Sequence, residues 1–219
     1  MKQYSKSYHV FLPSSQPIAL LTFYILYPLG VLCFTYFLRC LTMFSFICFG
    51  ATGAMLIIVE GLFDYIAFAG IQSRKDNNLE YIKTSAKGKQ IICQGMKMAA
   101  WKRILTIGVV VSISLFISNI GATKKEEVPY YMIFRIIILV CLTVQAASCI
   151  TRYFSNIYLC IGVNYVLLTL YSIVGFATWN MHYDVWVYII LIGVLVGLLV
   201  LNQKLSMKGV EASYYDQSN

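Results

Sequence analysis

The chain of 219 residues carries little of what covers a soluble protein: charged residues make up 12% of it, with nine acidic side chains, and there are only four prolines and two histidines. So few charges, with 59% apolar residues and a mean hydropathy of +0.73, exclude an ordinary soluble domain of this length. His9 and His182 lie far apart in the sequence, and no Cys-x-x-Cys pair occurs among the seven cysteines. A shared metal centre is not expected, and the cysteines read as small apolar filler. There is no His-Glu-x-x-His and no Gly-x-Ser-x-Gly. "AKGKQ" lacks the first glycine of a phosphate loop and has Gln90 where Ser or Thr would hold magnesium. No catalytic constellation is found, and neither ATP hydrolysis nor a bound cofactor is expected of this chain.

What is present is a series of long apolar runs. A helix needs about 20 residues to cross about 30 Å of hydrocarbon, and six such runs are expected as spans: 18–38, 43–70, 104–121, 130–150, 156–179 and 185–201. The fold class is all-α, a polytopic integral membrane protein. A transmembrane barrel would show segments of about ten residues with alternating polarity, and these are lacking. The organisation expected is an N-terminal segment over 1–17, a six-helix transmembrane domain over 18–205 with a cytoplasmic helical loop at about 71–103, and a cytoplasmic tail over 206–219. The first apolar run starts only at Ile18 and is too long for a signal core, so it is expected to stay.

Orientation follows from the basic residues. With both termini in the cytoplasm, the inner side holds Lys2, Lys6, Arg74, Lys75, Lys83, Lys87, Lys89, Lys97, Lys102, Arg103, Arg152, Lys204 and Lys208, against Arg39, Lys124 and Lys125 outside and Arg135 within the fourth run. This is a positive-inside bias, which accounts for the net charge of +8 without nucleic acid and makes anionic lipid the natural counterion. Trp179, Tyr183, Trp186, Tyr188, Tyr130 and Tyr131 fall at expected outer ends, Trp101 and Tyr153 at inner ends. These are anchor positions at a membrane interface. Short loops, with no long soluble domain, suit a bacterial cytoplasmic membrane.

Charges inside spans invite a functional reading because burying them is costly. Glu60 and Asp64, in "VEGLFDY", are four apart and share a helical face. They are candidates for an ion path, or for an interfacial role near the inner headgroups. Counting along the helices puts Arg135 about 16 Å from Glu60 in depth, so Arg135 is expected to snorkel outward or to face a cavity in the bundle. Gly50 and Gly53 in "FGATGAM", and the Gly-x-x-x-Gly of Gly193 and Gly197, are expected at close helix contacts.

The long connection between the second and third runs is the one extended polar stretch. "SRKDNNLEYIK", the hydroxyls of Thr84 and Ser85, and "QIICQGMKMAAW" read as a short cytoplasmic helix, a turn and a helix feeding the third span. Within "EYIKTSAKGKQIICQGMKM", Glu80 is followed by Thr84-Ser85, Lys87 and Lys89, the Ile91-Ile92 pair and Lys97. With six spans and both termini inside, this resembles the small ABC-2-type permease subunits of ATP-binding-cassette exporters, although Ala86 stands where a proline is often found. The resemblance implies that Glu80, Lys83, Thr84, Ser85, Lys87 and Lys89 dock on a separate nucleotide-binding ATPase subunit. It also implies a second permease copy or homologue to complete the path. The alternatives from the residues alone are an ion-coupled carrier or channel using Glu60 and Asp64, and a structural or regulatory membrane subunit.

Overall fold

The computed structural model describes residues 21–41, 44–72, 87–120, 128–154, 157–177 and 184–215. These residues form a π-helical turn, Thr22–Leu26, and six α-helices: α1 (Tyr27–Leu41), α2 (Ser45–Gln72), α3 (Gly88–Ser118), α4 (Met132–Phe154), α5 (Ile157–Ala177) and α6 (Val185–Tyr215). Among the described residues there is no strand. Among the described residues four helices contain a stretch long and apolar enough to cross a membrane, namely α2, α3, α4 and α6, and α1 and α5 contribute the apolar stretches Tyr27–Leu41 and Ile161–Ala177.

The π turn has a local cause. Pro28, the second residue of α1, has no N–H to donate and its ring crowds the carbonyl four residues before it. The chain widens just ahead of it, closing with the Tyr27 N–H on the Thr22 carbonyl. Elsewhere, hydroxyls in the apolar helices return to their own backbone. Ser112 Oγ donates to the Gly108 carbonyl at 2.7 Å, and Thr143 Oγ1 to the Leu139 carbonyl at 2.7 Å, so neither places an unsatisfied group in an apolar setting.

The helices assemble around α4, which packs against α2, α3, α5 and α6, while α1 packs on α2 and α3. The shared core includes Phe49, Leu56 and Ile57 of α2, Val110, Val111 and Leu115 of α3, and Val140 and Val144 of α4. A polar tie fixes the register of α1 against α2. The Thr35 and Thr52 hydroxyls stand 2.7 Å apart, each also 2.9 Å from the carbonyl four residues back on its own helix, so one proton joins the two hydroxyls and the other returns to its own backbone. One end of the bundle is closed by Asn119, which donates to the Val128 carbonyl at 3.1 Å and accepts from the Val128 N–H at 2.9 Å. At that same end Arg39 Nε donates to the Ile120 carbonyl at 3.0 Å.

At the opposite end, hereafter the loop end, the helix expected to feed the third span is continuous with it: α3 is one unbroken helix from Gly88 to Ser118. The short helix and the turn expected ahead of it lie outside the described residues. The apolar character of α3 resumes directly after Gly88 through Ile91, Ile92 and Met96, so nothing in the sequence interrupts it. The last helix also continues beyond Leu201, through residues expected in the tail, to Tyr215. At a rise of about 1.5 Å per residue, α2, α3 and α6 are each over 40 Å long, more than the roughly 30 Å of a bilayer's hydrocarbon.

Candidate functional site: a buried ion network at the loop end

Glu60 and Asp64 lie one turn apart on α2 and face α3 and α4. Arg103 of α3 meets both. Its Nε donates to Glu60 Oε2 at 3.1 Å, its Nη2 to Asp64 Oδ1 at 2.5 Å, and its Nη1 to Ser148 Oγ on α4 at 3.3 Å. Arg152, one turn beyond Ser148, donates through Nη2 to the same Asp64 oxygen at 2.7 Å. The remaining Glu60 oxygen, Oε1, accepts the hydroxyl of Tyr27 at 3.1 Å, and the Tyr27 ring is held edge-on against Phe63 with centroids 5.3 Å apart. Four helices are thereby joined by two acids, two guanidinium groups and two hydroxyls.

The arrangement is buried and electrically balanced. Side-chain exposure is 9% for Glu60 and Arg103, 6% for Asp64 and 12% for Arg152. Two carboxylates against two guanidiniums leave no net charge, the condition under which ionised groups tolerate burial. Arginine suits the position because its planar fork can bond in three directions at once, which a lysine ammonium cannot do with the same geometry.

A stripe on the last two turns of α4 extends the network. Gln145, Ser148, Cys149 and Arg152 stand at i, i+3, i+4 and i+7 and so share one face. Gln145 Oε1 accepts from Asn202 Nδ2 of α6 at 2.8 Å, and Cys149 Sγ contacts the Leu198 carbonyl of α6 at 3.6 Å. Beyond the network, Gln203 Nε2 donates to Cys93 Sγ of α3 at 2.9 Å. The final part of α6 therefore lies beside the start of α3.

Exposed aromatic rings sit next to this level: Trp101, two residues from Arg103, is 67% exposed, and Tyr153, beside Arg152, is 68% exposed. On α3 the outward face reads Lys97, Trp101, Leu105, from charged to amphipathic to apolar over two turns. This is the order a helix shows on leaving headgroups for hydrocarbon. At the other end, Tyr130 and Trp186 are 69% and 75% exposed. The rise from Tyr131 to Tyr153 is about 33 Å, close to one bilayer thickness.

The residues singled out from sequence fall into three groups. Glu60 and Asp64 join the network. Their counter-charges, Arg103 and Arg152, are not the solvated inner-side charges expected of them, because α3 and α4 turn both guanidiniums into the bundle. Arg135 does not snorkel. It is 2% exposed, which leaves the other expectation, a side chain turned into the bundle.

Of the glycines, Gly53 is closely packed: a Cβ there would run into the Tyr171 phenol of α5 and approach Val140 Cγ2 at 3.1 Å. Tyr171 also donates to the Gly50 carbonyl at 3.3 Å. Around Gly50, Gly193 and Gly197 a Cβ would meet no atom of the described residues within 4 Å beyond the helix's own backbone. For the last two the reason is that α6 buries Asn202 and Ser206 but leaves Val194, Val196 and Val200 outward. Gly61, not singled out from sequence, packs on Asn164, whose Oδ1 would stand 2.9 Å from an added Cβ.

Of the loop residues, Lys87 precedes α3 and is exposed, and the backbone of Lys89 is in the first turn of α3. Glu80, Lys83, Thr84 and Ser85 lie outside the described residues, as does the side chain of Lys89. The sequence signal that locates the missed members on α4 is the run "QAASCITR", where polar side chains recur at helical spacing in an otherwise apolar helix. No protein-family model, no curated protein and no solved structure matches the chain.

Proposed function

We propose that the chain is the membrane-spanning permease subunit of an ATP-binding-cassette exporter, worked by a separate ATPase subunit through the connection between α2 and α3. In this reading all six helices cross a bacterial cytoplasmic membrane, with both termini and the loop end in the cytoplasm. The observation that carries it is the projection at the loop end. From Arg103 back to Gly88 α3 extends about 22 Å, and from Asp64 to Gln72 α2 extends about 12 Å, both past the network that ties them together. The basic connection thus joins two helices that the network ties together at Arg103. Such a mount transmits displacement as a rigid body, which a slack loop would not.

Glu80, Lys83, Thr84, Ser85, Lys87 and Lys89 form the docking surface in this reading. The basic residues nearby also face anionic headgroups, and a second copy or a homologue completes the path. The carrier alternative is weakened by the network itself: Glu60 and Asp64 already engage guanidinium groups, so a transported cation would have to displace them.

The test is purification of the tagged chain from gently solubilised native membranes, with mass spectrometry of what accompanies it and an ATPase assay. A stoichiometric nucleotide-binding subunit, released by Lys87→Glu with Lys89→Glu in a still-folded protein, is expected. Recovery of the chain alone, or only with itself and without ATPase activity, overturns the proposal.

A further inference from the structure

The polar stripe on α4 bears on how the projection is held. Three helices run past the ion network at the loop end: the last turns of α2, the first four turns of α3 and the final part of α6. α4 does not run with them, since it stops at Phe154, two residues after Arg152. Yet its stripe contacts all three. Arg152 bonds to Asp64 of α2, Ser148 to Arg103 of α3, and Gln145 and Cys149 to Asn202 and Leu198 of α6.

We infer that Gln145, Ser148 and Arg152 form a seat that holds the three projecting helix ends as one body, with Arg152 as its principal positioning residue. The inference deepens the coupling reading and rests on it only for what would move the projection. Three features lead to it. The contacts to three different helices come from one face of one helix within two turns, so they cannot be lost or gained independently of the orientation of α4. The contacts are polar and directional, in surroundings where apolar packing alone would let helices slide or rotate. And Arg152 shares its acceptor oxygen with Arg103, so a displacement of α4 at Arg152 is felt by α3 through Asp64 as well as through Ser148.

The consequence is long-range: order in α3 near Gly88, more than 20 Å along the helix from the network, depends on a side chain of α4 that the projection does not contain. Hydrogen exchange followed by mass spectrometry, on the full chain in nanodiscs of anionic phospholipid, measures this directly without any partner. Arg152→Gln is expected to raise exchange by about tenfold or more across residues 88–99 of α3 and 203–211 of α6. Arg152→Lys, which keeps the charge, should recover a large part of the protection. Ser148→Ala should raise exchange in the same segments by less. Arg39→Gln, at the opposite end, should leave them unchanged.

If exchange rises only in α4 itself, or rises in the projection equally with Arg39→Gln, the seat does not exist. Should Arg152→Gln fail to fold, Ser148→Ala and Gln145→Ala decide by the same criterion, because neither strands a buried charge. The readout is independent of the ATPase pull-down, so a missing partner subunit and a missing seat are separate results.

Discussion

Arg152 reaches across 88 residues of chain to donate to Asp64 at 2.7 Å, onto the same oxygen that Arg103 occupies at 2.5 Å. One carboxylate oxygen thus fixes α3 and α4 to α2. Removing Asp64 leaves two guanidiniums buried without it, so Asp64→Asn should cost on the order of 3–5 kcal/mol, as for breaking other buried ion pairs. Denaturation in detergent micelles at graded denaturant would measure it. Because the pairs are buried, the loss should change little between low and high salt. A loss that vanishes in high salt would show instead that the pairs are open to solvent.

Replacing the whole charged set should behave differently from breaking it. The combined substitution Glu60→Leu, Asp64→Leu, Arg103→Met and Arg152→Met removes both the desolvation cost and the attraction, and apolar side chains are at home in the surrounding bundle. Its stability should lie within about 2 kcal/mol of the unaltered chain and well above that of Asp64→Asn alone. Tyr27 would lose its acceptor in that variant, so Tyr27→Phe added to it should be neutral or stabilising. If the fourfold variant is as damaged as the single one, the ions contribute net stability that apolar packing cannot replace.

The packing of Gly53 under Tyr171 gives a paired test. Gly53→Ala puts a methyl where the phenol stands, an overpacking that typically costs about 1–3 kcal/mol. Tyr171→Phe removes the oxygen that the new methyl meets first. The double variant should therefore lose less than the two single losses added together, a coupling visible in a double-mutant cycle of unfolding free energies. Strict additivity would mean that α5 moves away from α2 as a whole.

Much of the fold was legible because lipid-length apolar runs leave few alternatives. The ends of α2 and α5 fall within two residues of the expected spans. The helix that feeds the third span was legible too, since "QIICQGMKMAAW" keeps apolar residues at helical spacing, whereas the continuation of α6 through the expected tail to Tyr215 was not. Glu60 and Asp64 stood out as charges in an apolar stretch. Their partners did not, because Arg103 and Arg152 lie at span ends, where a basic residue has a ready explanation as a topology signal. Only helix rotation turns those two guanidiniums inward while Trp101 and Tyr153, close beside them, turn outward, and rotation is set by tertiary packing. Gly193 and Gly197 show the reverse limit: a Gly-x-x-x-Gly spacing announces a flat helix face without naming a neighbour, and among the described residues no other helix comes within 4 Å of a Cβ there.

The threonine pair at the α1–α2 contact should be modest in effect. Thr35 and Thr52 bond to each other at 2.7 Å, one of the two donating across while the other donates to the carbonyl four residues back on its own helix. Polar ties of this kind within membranes are worth about 0.6 kcal/mol on average and up to about 2. Thr35→Val should therefore lower stability by about 1 kcal/mol, leaving Thr52 its bond to the Cys48 carbonyl, and Thr35→Val with Thr52→Val should cost scarcely more than either alone. Clearly additive losses in unfolding experiments would mean that the two hydroxyls act separately.

The depth of the ion network decides how strongly its charges must be paired, and Trp101 reports that depth. With Trp179 and Trp186 replaced by phenylalanine, Trp101 is the sole indole of the chain. Two residues from Arg103 and exposed on the outer surface of α3, it should sit at the headgroup boundary with the polar edge of its ring toward water. In bilayers of lipids brominated at graded chain positions, its fluorescence should be quenched most by bromines nearest the headgroup. The same variant carrying Arg103→Leu should show a shift toward the deeper bromines, because the charge that keeps this turn of α3 at the boundary is gone. Quenching that is already greatest at the chain ends would place the network in the hydrocarbon centre, where an uncompensated charge costs far more, and the loss from Asp64→Asn should then exceed the upper end of the range given above.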